Sequence, residues 1–313
     1  MKNIKASLYG YIIGDAIGLP LKNKKRNTLL KNPVNDMLPI DKMNNEIGYW
    51  SLNSSFVLAT IDSIVENDRK INYTDIMRKY IECTTNSKYL SHEKFKKELN
   101  KNITYAINRF NNNITPTECG SKKYEDNDNK SLSRMLPIVL YCYYKNVDNE
   151  EDIFSLVKKY SSLTHSHQLS IMACFIYVRY LLYILRGKDK TTAYNLIKYT
   201  DYNKYFRKEI IQEYSRILNS NIFELNINEI QSKSNVVDTL ETTIWIIINT
   251  NSYQQAIVGA INLGGDTNTL AGIVGGIAGV LYGYESIPSK WINNIKKKEL
   301  INSIILNLVM QLY

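Results

Sequence analysis

The sequence predicts an all-α fold in a single domain over 1–313, and three observations carry that expectation. Apolar residues recur at helical spacing along most of the chain. No run alternates apolar and polar residues as a half-buried strand would. No internal repeat is visible, which argues against a solenoid. A length of 313 residues admits one large domain or two ordinary ones. With 44% hydrophobic and 22% charged residues, wholesale disorder and collagen-like repeats are excluded.

The elements follow in order. Ala6–Ile17 is apolar on most faces and is expected to be a central helix. In Ser54–Val65, positions 57, 58, 61, 64 and 65 form one helix face. Leu132–Tyr144, Gln168–Leu185, Asp238–Asn249 and Tyr253–Asn262 read the same way. Thr269–Tyr282 has glycine at 272, 275, 276 and 279, poor for helix propensity but suited to close packing of a central helix against its neighbours. Asn23–Asn45 and Lys122–Lys130 are polar and are expected to be loops. The apolar stretch Leu169–Leu185 spans 17 residues with Arg179 inside, short for a membrane span, and reads as a buried helix.

The net charge of +9 is mild for this length. The basic runs Lys22–Arg26 and Lys296–Lys298 are short and read as solvated ends, and no basic stripe with aromatic platforms suggests nucleic acid. Cys83, Cys119, Cys142 and Cys174 show neither metal spacing nor a disulfide framework, and fit a reducing, cytoplasmic setting. The N-terminal apolar run is interrupted by Asp15 and no cleavage site follows, so neither a leader nor a membrane partner is expected. With 3 His and 4 Cys, a metal site would have to be built from carboxylates, amides and hydroxyls.

Polar residues cluster in five places. Asp266, Asn268 and Thr269 follow Gly264-Gly265 and open the Gly/Ala-rich helix. They read either as an N-cap or as part of an oxygen-ligand cluster for Mg²⁺ or Ca²⁺. Ser51, Asn53, Ser54 and Ser55 open another helix after Trp50. The remaining three are Gly14–Lys22, Asn129–Pro137 and Thr164–His167. His165 and His167 are two residues apart and do not share a helix face, so they make a poor chelate on one helix.

In this order the five segments, GDAIGLPLK, GYWSLNSS, NKSLSRMLP, THSH and NLGGDTNT, resemble the ADP-ribosylglycohydrolase family, with its GDAxGxPxE, GxWTDDT, GNGxxMRxxP, THxH and NLGGDxDT. The resemblance runs from about residue 6 to about residue 293, with Val236–Gly283 similar to the family's C-terminal core. It implies an all-α bundle with a central cleft and a pair of Mg²⁺ ions on the cleft floor. It also implies ligand contacts at Asn129, Ser131, Arg134, His165, Gly264 and Gly265, and a catalytic carboxylate at Asp266.

The chain departs from the family where the metal ligands would be. By position, Lys22 stands for a Glu, Ser51 for a Thr, Leu52 and Asn53 for two Asp, and Asn268 for a third, while Asp266 and Thr269 are kept. Leu52 offers no ligand atom, and Lys22 repels a cation. At ~5 Å and an effective dielectric of ~20, one like charge against a divalent ion costs roughly 7 kcal/mol. The expectation is therefore no resident cofactor, with one weak Mg²⁺ on Ser51, Asn53, Asp266, Asn268 and Thr269 left open. The Lys22 ammonium either takes the metal's place, paired with Asp266 and near Asn53 and Asn268, or points to solvent. Glu125, Asp126 and Asp128 form an acidic loop expected to repel a diphosphate, and Lys130 replaces a Gly. Three functions follow as alternatives. One is a catalytically degenerate family member that binds an ADP-ribose-like molecule or an ADP-ribosylated protein. Another is an active hydrolase using one metal ion or none. The third is an interaction protein with an empty cleft.

Overall fold

The computed structural model describes residues 2–312. Among them are seventeen α-helices and no β-strand, with only isolated bridges such as Ser121 to His165. The first are α1 (Lys2–Gly18), α2 (Arg26–Lys31), α3 (Leu52–Glu66), α4 (Tyr73–Thr85), α5 (Lys101–Asn111) and α6 (Lys130–Ser133). Then follow α7 (Leu136–Tyr144), α8 (Glu150–Ser161), α9 (Gln168–Leu185), α10 (Lys190–Lys198), α11 (Lys208–Glu213) and α12 (Ser215–Asn219). The last are α13 (Val236–Asn249), α14 (Tyr253–Asn262), α15 (Thr267–Tyr282), α16 (Ser289–Asn294) and α17 (Lys298–Leu312).

The centre is the pair α1 and α15, which come from opposite ends of the chain. Their backbones touch. A Cβ added at Gly10 would lie 2.3 Å from Gly275 O, one at Gly14 would lie 2.1 Å from Ala271 O, and one at Gly279 would lie 2.1 Å from Ala6 O. Gly10, Gly14 and Gly18 recur every four residues, so they share one face of α1. The contact explains why a helix as glycine-rich as α15 persists: the propensity lost at each glycine is offset by backbone packing that no larger residue permits. Around this pair the apolar side chains form one continuous core. Helix α9 is long and apolar enough to cross a membrane by length and composition, yet 83% of it is buried inside this core. The four cysteines are buried free thiols.

The expected helices are found, with differences at their edges. The expected Leu132–Tyr144 helix divides into α6 and α7 at Arg134 and Met135, because Pro137 opens the first turn of a new helix. The expected loop 23–45 contains α2 and a 3₁₀ turn at Asp41–Met43. Lys122–Asn129 is irregular as expected, and Lys130 begins α6. Capping side chains set several starts: Ser51 accepts from Asn53 N at α3, and Asn235 accepts from Val237 N and Asp238 N at α13.

The same substitution should act with opposite sign at two glycines. Gly14→Ala drives a Cβ into the Ala271 carbonyl and should cost about 3 kcal/mol or more. Gly259→Ala in α14 meets nothing closer than 3.9 Å and should be neutral or stabilise by up to about 1 kcal/mol through helix propensity. Chemical denaturation of the two variants checks this, and equal destabilisation would refute the glycine seam.

Candidate functional site

The seam places the C-terminal end of α1 beside the first turn of α15, and the start of α3 closes the third side. Asp15 joins all three. It is fully buried. Its Oδ2 accepts from Ser51 N at 3.0 Å and Ser54 Oγ at 2.6 Å, and its Oδ1 accepts from Ser51 Oγ at 2.8 Å and Asn268 Nδ2 at 3.0 Å. Burial pushes the Asp15 carboxyl above its usual range, although the hydrogen bonds from Ser54, Asn268 and Ser51 pull the other way. Thr267 Oγ1 donates to Gly18 O at 2.7 Å and adds a further α1–α15 tie.

The second cluster surrounds Asp266, which occupies the N-cap position of α15 without making a side-chain cap hydrogen bond. Its Oδ2 instead accepts from Lys130 Nζ at 3.0 Å. The same ammonium donates to Thr269 Oγ1 at 2.6 Å, and Asn53 Nδ2 donates to that oxygen at 2.9 Å. Burial would raise the Asp266 carboxyl, but the charges of Lys130 and then Lys22 outweigh it and hold the group below its usual range. A cavity of about 30 Å³ opens beside these groups, bordered by Lys22, Ser51, Leu52, Asn53, Lys130 and Asn268. That is room for about two water molecules. Lys22 and Glu98 also border a larger cleft of about 540 Å³ lined by Leu19, Pro20, Met43 and Phe95.

Several expected site residues lie elsewhere than the sequence suggested. The cation on Asp266 is Lys130, whereas Lys22 is exposed and acts on Asp266 only at a distance. Arg134 is fully buried beneath the site. It donates to Tyr160 O at 3.2 Å, Ser161 O at 3.1 Å and Thr164 Oγ1 at 2.5 Å, and its guanidinium lies 4.9 Å from the Tyr160 ring centroid. It has no surface for a ligand and holds the Thr164 turn in place. Ser131 is likewise buried, accepting from Cys174 Sγ at 3.5 Å. Gly264 and Gly265 have φ of +71° and +74°, which lets the chain pass against Lys24 and Ser232. The Gly265 amide already donates to Lys24 O at 3.0 Å. Asn129 is buried and donates to Thr239 Oγ1 at 3.0 Å.

His165 is buried, with Nδ1 2.7 Å from Thr164 Oγ1 and Nε2 3.2 Å from Asp128 Oδ1. The helix-start histidine is His167, which accepts from Leu169 N at the start of α9. Two carboxylates of the acidic loop have local hydrogen-bond partners. Asp126 accepts from Lys101 Nζ at 2.8 Å and Ser121 Oγ at 2.7 Å, and Asp128 accepts from Asn102 Nδ2 at 2.6 Å and Lys130 N at 3.0 Å. Of the three, Glu125 is the exposed one. Sequence reasoning gave neither Asp15 nor Lys130 a role in the site. A lone carboxylate inside an apolar helix was the available signal for Asp15.

The donor set does not fit a pair of divalent cations. Leu52 supplies no oxygen, Asp15 is saturated by protein donors, and both lone pairs of Thr269 Oγ1 are taken. Among the described residues, no group of three or more His, Cys, Asp or Glu could hold a metal ion. Asp266 Oδ1, Asn268 Oδ1 and Asn129 Oδ1 are buried oxygens that lack a hydrogen-bond partner.

The ADP-ribosylglycohydrolase family model matches residues 1–313, and the chain belongs to that family. It is similar to the ADP-ribosylarginine hydrolase Tri1 of Serratia proteamaculans, 26% identical over 96% of this chain and 77% of that protein. It is also similar to the ADP-ribosyl-[dinitrogen reductase] glycohydrolase of Rhodospirillum rubrum, 25% identical over 55% of this chain and 52% of that one. A solved structure titled "ADP-ribosylglycohydrolase-related protein complex" shares the fold, with a TM-score of 0.81 at 21% identity over 100% of this chain and 98% of that one.

The Asp128 contacts make an acid-side prediction. Burial would raise its carboxyl, but the His165 hydrogen bond and charge hold it below the usual range. A depressed carboxylate contributes its full stability above the unfolded pKa of about 3.9 and loses it as pH falls through the folded value. Asp128→Asn should therefore lower the melting temperature at neutral pH by roughly 2–5 °C, and by progressively less below about pH 4. A pH series of thermal melts reads this; a loss that does not shrink on the acid side would count against the assignment.

Proposed function

We propose that this chain holds an ADP-ribose-like ligand, free or carried on a protein, in its cleft and has lost metal-dependent hydrolysis. The observation that carries this reading is the Lys130–Asp266 pair: the carboxylate retained from the family's metal motif is occupied by an ammonium of the same chain. The replacements at Leu52, Asn53 and Asn268 support it by removing charge where a divalent ion needs it. The larger cleft gives a bulky ligand room that the small floor cavity does not.

A second reading, metal-free hydrolysis, has one observation in its favour. Asp266 Oδ1 is a buried carboxylate oxygen without a hydrogen-bond partner, as a general base would need to be. Against it, Lys130 keeps that carboxyl below its usual range, which weakens it as a base. The relatives named as hydrolases make this reading the natural competitor.

Calorimetric titration with ADP-ribose should show binding that a chelator leaves unchanged. An ADP-ribosylated arginine peptide should release no ADP-ribose above the uncatalysed rate. Release that Asp266→Ala abolishes would establish the hydrolase instead, and the absence of any ADP-ribose binding would leave the interaction-protein reading.

A further inference from the structure

We infer that Lys130 is the resident cation of the cleft floor, seated by Asp266 and Thr269 where an ion would otherwise sit, so that the floor meets a ligand's oxygens through N–H donors. The inference rests on the reading above that the family's metal pair is lost here, and it adds what stands in its place.

The geometry is that of a held cation rather than a loose surface pair. The Lys130 and Asp266 side chains are only 13% and 9% exposed. The backbone of Lys130 is fixed at the start of α6, where its N–H donates to Asp128 Oδ1 at 3.0 Å. The ammonium reaches Asp266 Oδ2 at 3.0 Å and Thr269 Oγ1 at 2.6 Å. An ammonium has three donors, so one remains for the cavity that Lys130 borders. Thr269 Oγ1 accepts from both Lys130 and Asn53, which leaves no lone pair for an added ion unless the ammonium departs.

Asp266 Oδ1, Asn268 Oδ1 and Asn129 Oδ1 are buried acceptors with no donor. With Lys130 present, Asp266 and the ammonium sum to zero, and nothing draws a second cation to those oxygens. With Lys130 removed, the Asp266 carboxylate and the freed lone pair of Thr269 are left as hard-oxygen acceptors carrying one negative charge. Such a set suits a single divalent ion that keeps some of its water. A merely structural lysine predicts lost stability on truncation but no gain of a cation.

The test uses the whole chain, Mn²⁺ as the probe, and no nucleotide. Electron paramagnetic resonance of Mn²⁺ should show no bound ion in the wild type. Lys130→Ala should bind Mn²⁺ at least ~10-fold more tightly than wild type, with a melting temperature that rises on Mn²⁺ addition. Methylammonium, the tip of the lost side chain as a free ion, should compete with Mn²⁺ in that variant. Lys130→Met, which keeps the apolar stem, serves if the alanine variant does not fold. Bound Mn²⁺ in the wild type would overturn the inference, whatever the variants do. So would a folded Lys130 variant that takes up neither Mn²⁺ nor methylammonium. Because the readout needs no ADP-ribose, failure of ADP-ribose to bind the wild type would sink the proposed function and leave this inference standing.

Discussion

The site depends on the direct backbone contact between α1 and α15. Glycines at 10, 14 and 18 on one helix and at 275 and 279 on the other let carbonyls and α-carbons meet without intervening side chains. The contact fixes the two helices in register. It therefore fixes the distance from Asp15 on α1 to Asn268 on α15, which hydrogen-bond at 3.0 Å. From that bond the start of α3 is positioned through Ser51 and Ser54, and the floor of the cleft follows. A single Cβ in the seam would have to push the helices apart and would disturb the polar cluster about one helical turn away.

Two buried carboxylates lie on this floor, and their environments push them in opposite directions. Asp15 is surrounded by neutral donors, and burial wins, so its proton is held more firmly. Asp266 is also buried, but the charges of Lys130 and Lys22 stand against it, and the charges win. At Asp15 the dipoles of hydroxyls and amides offset only part of the cost of burying an anion, whereas at Asp266 the charges of Lys130 and Lys22 together outweigh it. The region thus holds one charge pair and one carboxyl held by hydrogen bonds. Its chemistry differs accordingly from that of a cluster of free carboxylates.

Much of this was legible in the sequence. The helices buried on most faces announced themselves, because α1, α9 and α15 are apolar nearly throughout. The family motifs located the floor. Helices such as α4 and α8, rich in charged residues, were passed over because only one narrow stripe of each is apolar. The identity of the cation was beyond reach: Lys22 and Lys130 both replace family residues, and which one meets Asp266 is set by how the turn after α1 and the start of α6 are oriented. Arg134 shows the same limit from the other side. Its motif placed it among ligand contacts, while packing buried it among the carbonyls of residues 160 and 161 and two tyrosine rings.

The central pair of helices also bears on how the chain is made. Gly18 and Thr267, which hydrogen-bond across the seam, are 249 residues apart, so α1 must wait during synthesis for α15. At typical elongation rates that interval is roughly 12–50 s. During it, an almost wholly apolar helix has none of its native neighbour to cover it. The nascent chain thus leaves α1 uncovered by its main partner over that interval, and shielding near the exit tunnel would matter more for this topology than for one whose core is built from adjacent segments.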